Sequence, residues 1–376
     1  MNWSFRIAQI VGIDIRVHVT FFLVLLLGAF QWSGTTPGSL LGAIFGVVLM
    51  ILLFTSVTLH ELGHSLMARR FAIPVKAITL LPLGGVAEIE RNPEKPLHDL
   101  LISVAGPLVN IVIAGALLLL TGVSSPLALL NGHGLMPHRG NEPSFDTLLA
   151  WLLTANISLF VFNLIPAYPL DGGRILRAIL AMSLGYPKAT TIAAAIGQSI
   201  AIILGVFGLL SGNFILALVA VFVFFGASQE TVEVAMKSVL TTRRVGDACN
   251  KDVPTFMSGD RVSKVVEVLL NSPQQEFPVK QGTTLLGIVT RDIVLHTLES
   301  SHDDLYVTEI MQRDYLRVNA TQTLDEARDA MAHKQSPVAA VYDGDRYIGL
   351  LSERDLQEAF TILSFVQRQA QARIAT

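Results

Sequence analysis

Residues 40–59 read LLGAIFGVVLMILLFTSVTL, an uncharged run of a length that few folds accept. About 20 apolar residues in a helix cross the hydrocarbon core of a bilayer. In lipid the backbone N–H and C=O groups must pair within the segment, so the run is read as a membrane-spanning helix. His60, Glu61 and His64 follow immediately, which places ionisable groups at the end of a segment made for lipid. Such groups at membrane depth are costly and mark function.

The rest of the first 240 residues repeats the apolar pattern. Of 376 residues, 51% are hydrophobic and 15% charged, where a soluble domain carries about 25% charged residues. Six segments qualify as spans: 17–32, 40–68, 97–121, 145–165, 189–210 and 213–236. The first follows Arg6 and Arg16 and resembles a secretory signal. No small-residue cleavage site follows it and further spans come after, so it is read as a retained span. Gly197, Gly205 and Gly208 permit close helix packing. Arg69, Arg70, Lys76, Arg91 and Lys95 lie between spans two and three, and Arg174, Arg177 and Lys188 between spans four and five. The opposite connections carry only Arg139. The excess of basic residues marks the cytoplasmic side, so both termini are expected there, in a cell membrane. The net charge of −3 indicates no nucleic-acid partner, and the single cysteine, Cys249, excludes an internal disulfide.

After about residue 242 the chain alternates short β-branched runs with amphipathic stretches, as a soluble α/β region does. Gly287-Ile-Val-Thr is echoed by Gly349-Leu-Leu-Ser, and Val245 by Val307, at the same offset. Two copies make a paired unit rather than a solenoid. The expected fold class is a multi-span α-helical membrane protein of about six helices, with a small β-hairpin and a C-terminal α/β pair. The domains are expected at 1–240, 245–300 and 307–362.

His60, Glu61 and His64 form H-E-x-x-H. Residues four apart on a helix share a face, so two imidazoles can grip one zinc ion, with Glu61 placed to take a proton from water. A catalytic zinc has three protein ligands. His133 and His138 fall on the wrong side of the membrane by the charge count, whereas His18 and His98 stay open. Asp171 is the better candidate. Pro166 and Pro169 end the fourth span on the side that carries His60 and His64. The alternative is that Asp171 caps the following helix.

These residues resemble the site-2 protease family of intramembrane zinc metalloproteases. H-E-L-G-H at 60–64 and N-L-I-P-A-Y-P-L-D-G at 163–172 match its two signatures. Gly106-Pro-Leu-Val-Asn110 matches the G-P-x-x-N element, and residues 12–18 look like its N-terminal segment. The resemblance implies one zinc per chain, held by His60, His64 and Asp171, with Glu61 as general base. Asn163 would donate to the oxyanion, or else hold the broken helix end, and Asn110 would pack or bridge polar groups. It implies cleavage of transmembrane protein substrates such as an anti-sigma factor or a remnant signal peptide. Residues 75–89 read as a hairpin whose free edge accepts an extended substrate, or as an ordinary cytoplasmic hairpin.

The repeat resembles a tandem pair of cystathionine-β-synthase (CBS) domains, which the six-span branch of this family often carries. By that resemblance Ser352 and Asp355 hold the ribose of an adenine nucleotide, ATP or AMP, unless the pair is purely structural. Thr290 and Asp292 are the matching residues of the first copy, one residue too closely spaced. Such pairs also stack into homodimers. Two other readings compete: a CBS-regulated transporter or channel, and a pseudoprotease that binds without cutting.

Overall fold

The protein is described by a computed structural model, in which residues 3–33, 40–82, 84–89, 93, 95–121, 143–300 and 303–375 are described. It divides into two units, residues 1–232 and 233–376.

The first unit opens as a hairpin, β1 (Ser4–Ile10) and β2 (Ile13–His18). Ile13, Ile15 and Val17 alternate inward and are buried, the period-two pattern of a half-buried strand. Two apolar helices follow, α1 (Phe21–Ser33) and α2 (Leu40–Arg70). Then come β3 (Val75–Leu81) and β4 (Gly84–Ile89). β2 pairs in parallel with β3, Asp14 opposite Ala77 and Val17 opposite Leu80. The result is one four-stranded sheet in the order β1-β2-β3-β4. A parallel pair needs a long crossover, and α1 and α2 supply it by going out and coming back. The N-terminal segment and the 75–89 segment therefore share one side of the bundle.

This pairing corrects the first span. Val17 and His18 belong to β2, and α1 has 13 residues. At about 1.5 Å per residue it measures about 20 Å, short of a bilayer core. His18 Nδ1 lies 3.3 Å from the backbone N of Thr20 and 2.8 Å from its hydroxyl, at the start of α1. The expected 75–89 hairpin forms, but as one half of a larger sheet, with β4 at its edge. Arg91 and Arg139 lie outside the described residues.

Four further helices cross the bundle: α3 (Pro96–Thr121), α4 (Phe145–Asn163), α6 (Tyr186–Leu210) and α7 (Phe214–Leu240). With α2, five helices among the described residues are long and apolar enough to span a membrane. Between α4 and α6 lies α5 (Asp171–Leu184), which the sequence reading treats as a loop. Its inner face buries Gly172, Gly173, Arg177, Ala178 and Ala181. Small residues set the helix spacing. Gly28 and Gly46 meet backbone to backbone, and Gly197 and Gly208 each face backbone of a neighbouring segment.

The second unit contains two three-stranded sheets, β5 (Phe256–Met257), β6 (Glu276–Gln281), β7 (Thr284–Thr290) and β8 (Leu316–Asn319), β9 (Val338–Asp343), β10 (Arg346–Ser352). In each, the first strand is parallel to the second and the second antiparallel to the third. The repeated glycines explain the echo in the sequence. Gly287 packs on the Gln312 carbonyl and Gly349 on the Asn250 carbonyl. Backbone bonds pair Ile288 with Gln312 and Leu350 with Asn250. Each copy thus receives the leading segment of the other, an exchange with two-fold character.

A Cβ at Gly46 would collide with the Gly28 carbonyl and press on Trp32. Gly46→Val should therefore lower stability by about 1–3 kcal/mol through overpacking, read as a lower unfolding midpoint in detergent, while Gly115→Val, which meets nothing within 4 Å, should change it little.

Candidate active site

The last turns of α2 carry His60, Glu61 and His64, and α5 begins at Asp171. The two imidazole Nε2 atoms are 3.1 Å apart. Asp171 Oδ2 lies 3.1 Å from Nε2 of His60 and 3.2 Å from Nε2 of His64. Both histidines are buried. The Asp171 cap reading does not hold. Leu170 is the N-cap residue and makes no side-chain cap bond, while Asp171 turns its carboxylate toward the histidines.

The outer ring nitrogens decide what this triangle can hold. His64 Nδ1 is 2.7 Å from the Ile102 carbonyl, which only accepts, so that nitrogen carries the proton. His60 Nδ1 is 2.7 Å from Asn110 Oδ1 and donates in the same way. Both Nε2 atoms are then bare, and they face an ionised carboxylate. Three acceptors with no proton between them repel unless a cation sits among them. Tetrahedral donors about 2.0–2.1 Å from one zinc lie about 3.3 Å apart, close to the distances here. Gly106 completes the cradle. A side chain there would enter the space of both Nε2 atoms, striking His64 and standing 2.7 Å from that of His60. The donor set, its tautomers and this opening fit zinc. Among the described residues, these three are the one His/Cys/Asp/Glu group placed to hold a metal.

Glu61 lies beside the triangle, against strand β4. A Cβ at Gly85 would stand 2.5 Å from Glu61 Cγ. β4 is an outer strand of its sheet among the described residues, so a strand edge borders the site. Asn163 ends α4 half-buried and takes no part in the hydrogen bonds around the triangle. His18 sits at the start of α1, and His98 stacks on Phe71 at 4.0 Å, so neither joins the metal donors. His133 and His138 lie outside the described residues.

Asn110, expected to pack or bridge polar groups, bridges to His60. Arg177, counted as a loop charge, is instead buried and paired with Asp99 and Glu230, which the sequence reading missed. The signal for both was spacing on α3. Asp99, Ile102, Gly106 and Asn110 follow one another at intervals of three, four and four, which is one helix face.

In the second unit Ser352 and Asp355 cap the C-terminal helix, Glu353–Ala375. The Ser352 backbone N–H and hydroxyl donate to Asp355 Oδ2 at 2.8 and 2.7 Å, and the Asp355 N–H returns a bond to the hydroxyl. Asp355 also lines a cavity of about 430 Å³ with Arg243, Asp247, Asn250 and Glu358. Thr290 and Asp292 sit at the end of β7 and the start of the next helix, with Asp292 exposed.

The chain is similar to known proteins over nearly its whole length. Residues 48–207 match peptidase family M50, and residues 307–361 match the CBS domain. The chain is 35% identical over 368 residues to a zinc metalloprotease of Methanocaldococcus jannaschii, covering 96% of this chain and 98% of that protein. Stage IV sporulation protein FB of Bacillus subtilis is 30% identical over 176 residues, 46% of this chain and 51% of that protein. Among solved structures, a site-2 protease from Methanocaldococcus jannaschii is 44% identical, with a TM-score of 0.44 over 61% of this chain and 95% of that one. The chain belongs to peptidase family M50, the site-2 protease family of zinc metalloproteases, and carries a CBS domain toward its C-terminus.

Proposed function

We propose that the protein is an intramembrane zinc endopeptidase in which His60, His64 and Asp171 hold the metal and Glu61 is the general base. The observation that carries this is the triangle of bare acceptors, closed by Asn110 and the Ile102 carbonyl and left open by Gly106. When bound, zinc supplies a Lewis acid and an acidified water near neutral pH. Glu61 takes the proton of the attacking water and passes it to the leaving amide nitrogen. Asn163 donates to the developing oxyanion. The open edge of β4 takes the unwound substrate as an added strand, which brings its carbonyl to Glu61. The substrate class is a transmembrane protein such as an anti-sigma factor or a remnant signal peptide. The orientation with both termini cytoplasmic rests on the basic residues around Arg69 and Arg174. We assign residues 1–240 to the protease and 245–300 and 307–362 to two CBS copies. A transporter or pseudoprotease has no use for Glu61 beside a complete donor triangle.

The CBS pair is assigned a regulatory role, with an adenine nucleotide in the cavity beside Ser352 and Asp355. Asp247, Asp355 and Glu358 outnumber Arg243 there, which favours AMP over the more highly charged ATP. Thr290 and Asp292 offer a weaker second position. Pairing of two chains through these domains would give a homodimer.

Purified protein should contain about one zinc per chain by elemental analysis. Asp171→Ala should lose most of it, and Gly106→Ala should lose it although no donor is removed; full zinc in either variant refutes the assignment. Glu61→Gln should keep the zinc and reduce cleavage of a transmembrane peptide library by about 10²–10⁴-fold, and retained cleavage would remove Glu61 as base. AMP should raise the unfolding midpoint of the full chain, an effect that Asp355→Ala abolishes; no shift with either AMP or ATP would leave the pair a structural one.

A further inference from the structure

We propose that Asp99 and Arg177 are positioning residues for the third metal donor, doing for Asp171 what Asn110 and the Ile102 carbonyl do for the histidines. The inference rests on the zinc reading above. Each histidine is gripped from behind by α3, at Asn110 and at Ile102. Among the described residues, the Asp171 carboxylate has hydrogen-bond contacts with the two imidazoles alone. Its orientation must therefore come from the backbone of α5, the helix it begins. α5 is a short helix that does not cross the bundle, and its first turn lacks a side-chain cap.

Arg177 supplies the grip. It lies six residues after Asp171, on a different face of α5, and is buried. Its Nε donates to Asp99 Oδ2 at 3.1 Å and its Nη2 to Asp99 Oδ1 at 3.2 Å. Nη1 donates to Glu230 on α7 at 2.6 Å. The guanidinium also lies over the rings of Tyr168 and Tyr186, at 5.8 and 5.7 Å. A fork-to-fork pair fixes angle as well as distance, which a lysine would not do. Asp99 stands on the same α3 face as Ile102, Gly106 and Asn110. One face of one helix thus registers all three donors.

Stability alone does not account for the cluster. A buried ion pair returns little net stability over apolar residues of the same volume, because both partners lose their hydration. Here two carboxylates surround one guanidinium, which is a poor way to glue helices. Fixed geometry is what the arrangement provides.

The test is zinc release from detergent-purified full-length protein into excess chelator, read beside the unfolding midpoint of the metal-free form. The combined variant Asp99→Leu/Arg177→Met/Glu230→Gln removes the charges together. We expect it to keep or raise the metal-free midpoint and to release zinc about 10–100-fold faster. Arg177→Lys keeps the charge and loses the fork, and should also release zinc faster. A folded combined variant with wild-type release overturns the inference and leaves the zinc site standing. If that variant does not fold, the isosteric Asp99→Asn decides: several-fold faster release supports the inference, and unchanged release overturns it. Wild-type protein without zinc overturns the site itself and this inference with it.

Discussion

Three acceptor atoms held within 3.2 Å of one another, with the protons on the far side of both rings, are the interaction on which the first unit depends. Their repulsion has to be opposed by something stiff, because buried surroundings screen charge poorly. The stiffness comes from α3, which presents an asparagine, a carbonyl and a glycine to α2 on one face. Side-chain amide and backbone carbonyl differ chemically but do the same work here. Each accepts from Nδ1–H, holds the ring proton on the outer nitrogen and leaves the inner nitrogen free for a metal, which is the usual office of partners around metal-bound histidine.

The four-stranded sheet belongs to the same arrangement. β2 and β3 pair in parallel across a crossover of two helices, and that ties the N-terminal segment to the chain that leaves α2. Arg69, in the last turn of α2, adds a hydrogen bond to the Val11 carbonyl at the tip of the β1–β2 turn. Ile13, Ile15, Val17, Ile78 and Leu80 share a core with Phe54 and Leu62 of α2. The sheet is thereby packed onto the helix that carries His60 and Glu61. β4 then borders Glu61 because β3 has no freedom to move away.

The long apolar runs and H-E-x-x-H could be read directly, since each is a local pattern with one physical meaning. Asp171 was the candidate third donor because Pro166 ends its helix on the side that carries His60 and His64, and its carboxylate lies against both imidazoles. What could not be read depends on distant pairing. Val17 and His18 look apolar enough to open a span, but their alternation with Ile13 and Ile15 is a strand signal that only a partner at residues 77–80 makes decisive. α5 was hidden because Pro166, Pro169, Gly172 and Gly173 read as loop, although proline before a helix and glycine in its tightly packed first turn are both compatible with one. Arg177 counted as a surface charge because burial of an arginine is visible only once Asp99 and Glu230 are beside it. In the second unit the echo of Gly287 at Gly349 was legible as repetition. Its cause, a carbonyl of the other copy against each glycine, was not.

On the proposed zinc reading, charge balance favours a carboxylate as third donor over another histidine. Asp171 and Glu61 together carry two negative charges when ionised, and a divalent cation between them leaves the site neutral. Three histidines with Glu61 would leave a net positive charge in apolar surroundings, where an uncompensated charge is expensive. The backbone adds to this. Asp171 is the first residue of α5, so the positive end of that helix faces its carboxylate. The same accounting separates the two clusters that α3 organises. The metal centre reaches neutrality only with its cation, whereas Asp99 and Glu230 have a counter-charge of their own in the guanidinium of Arg177. One cluster can therefore stay formed while the other is empty, which is what a frame for a metal site requires.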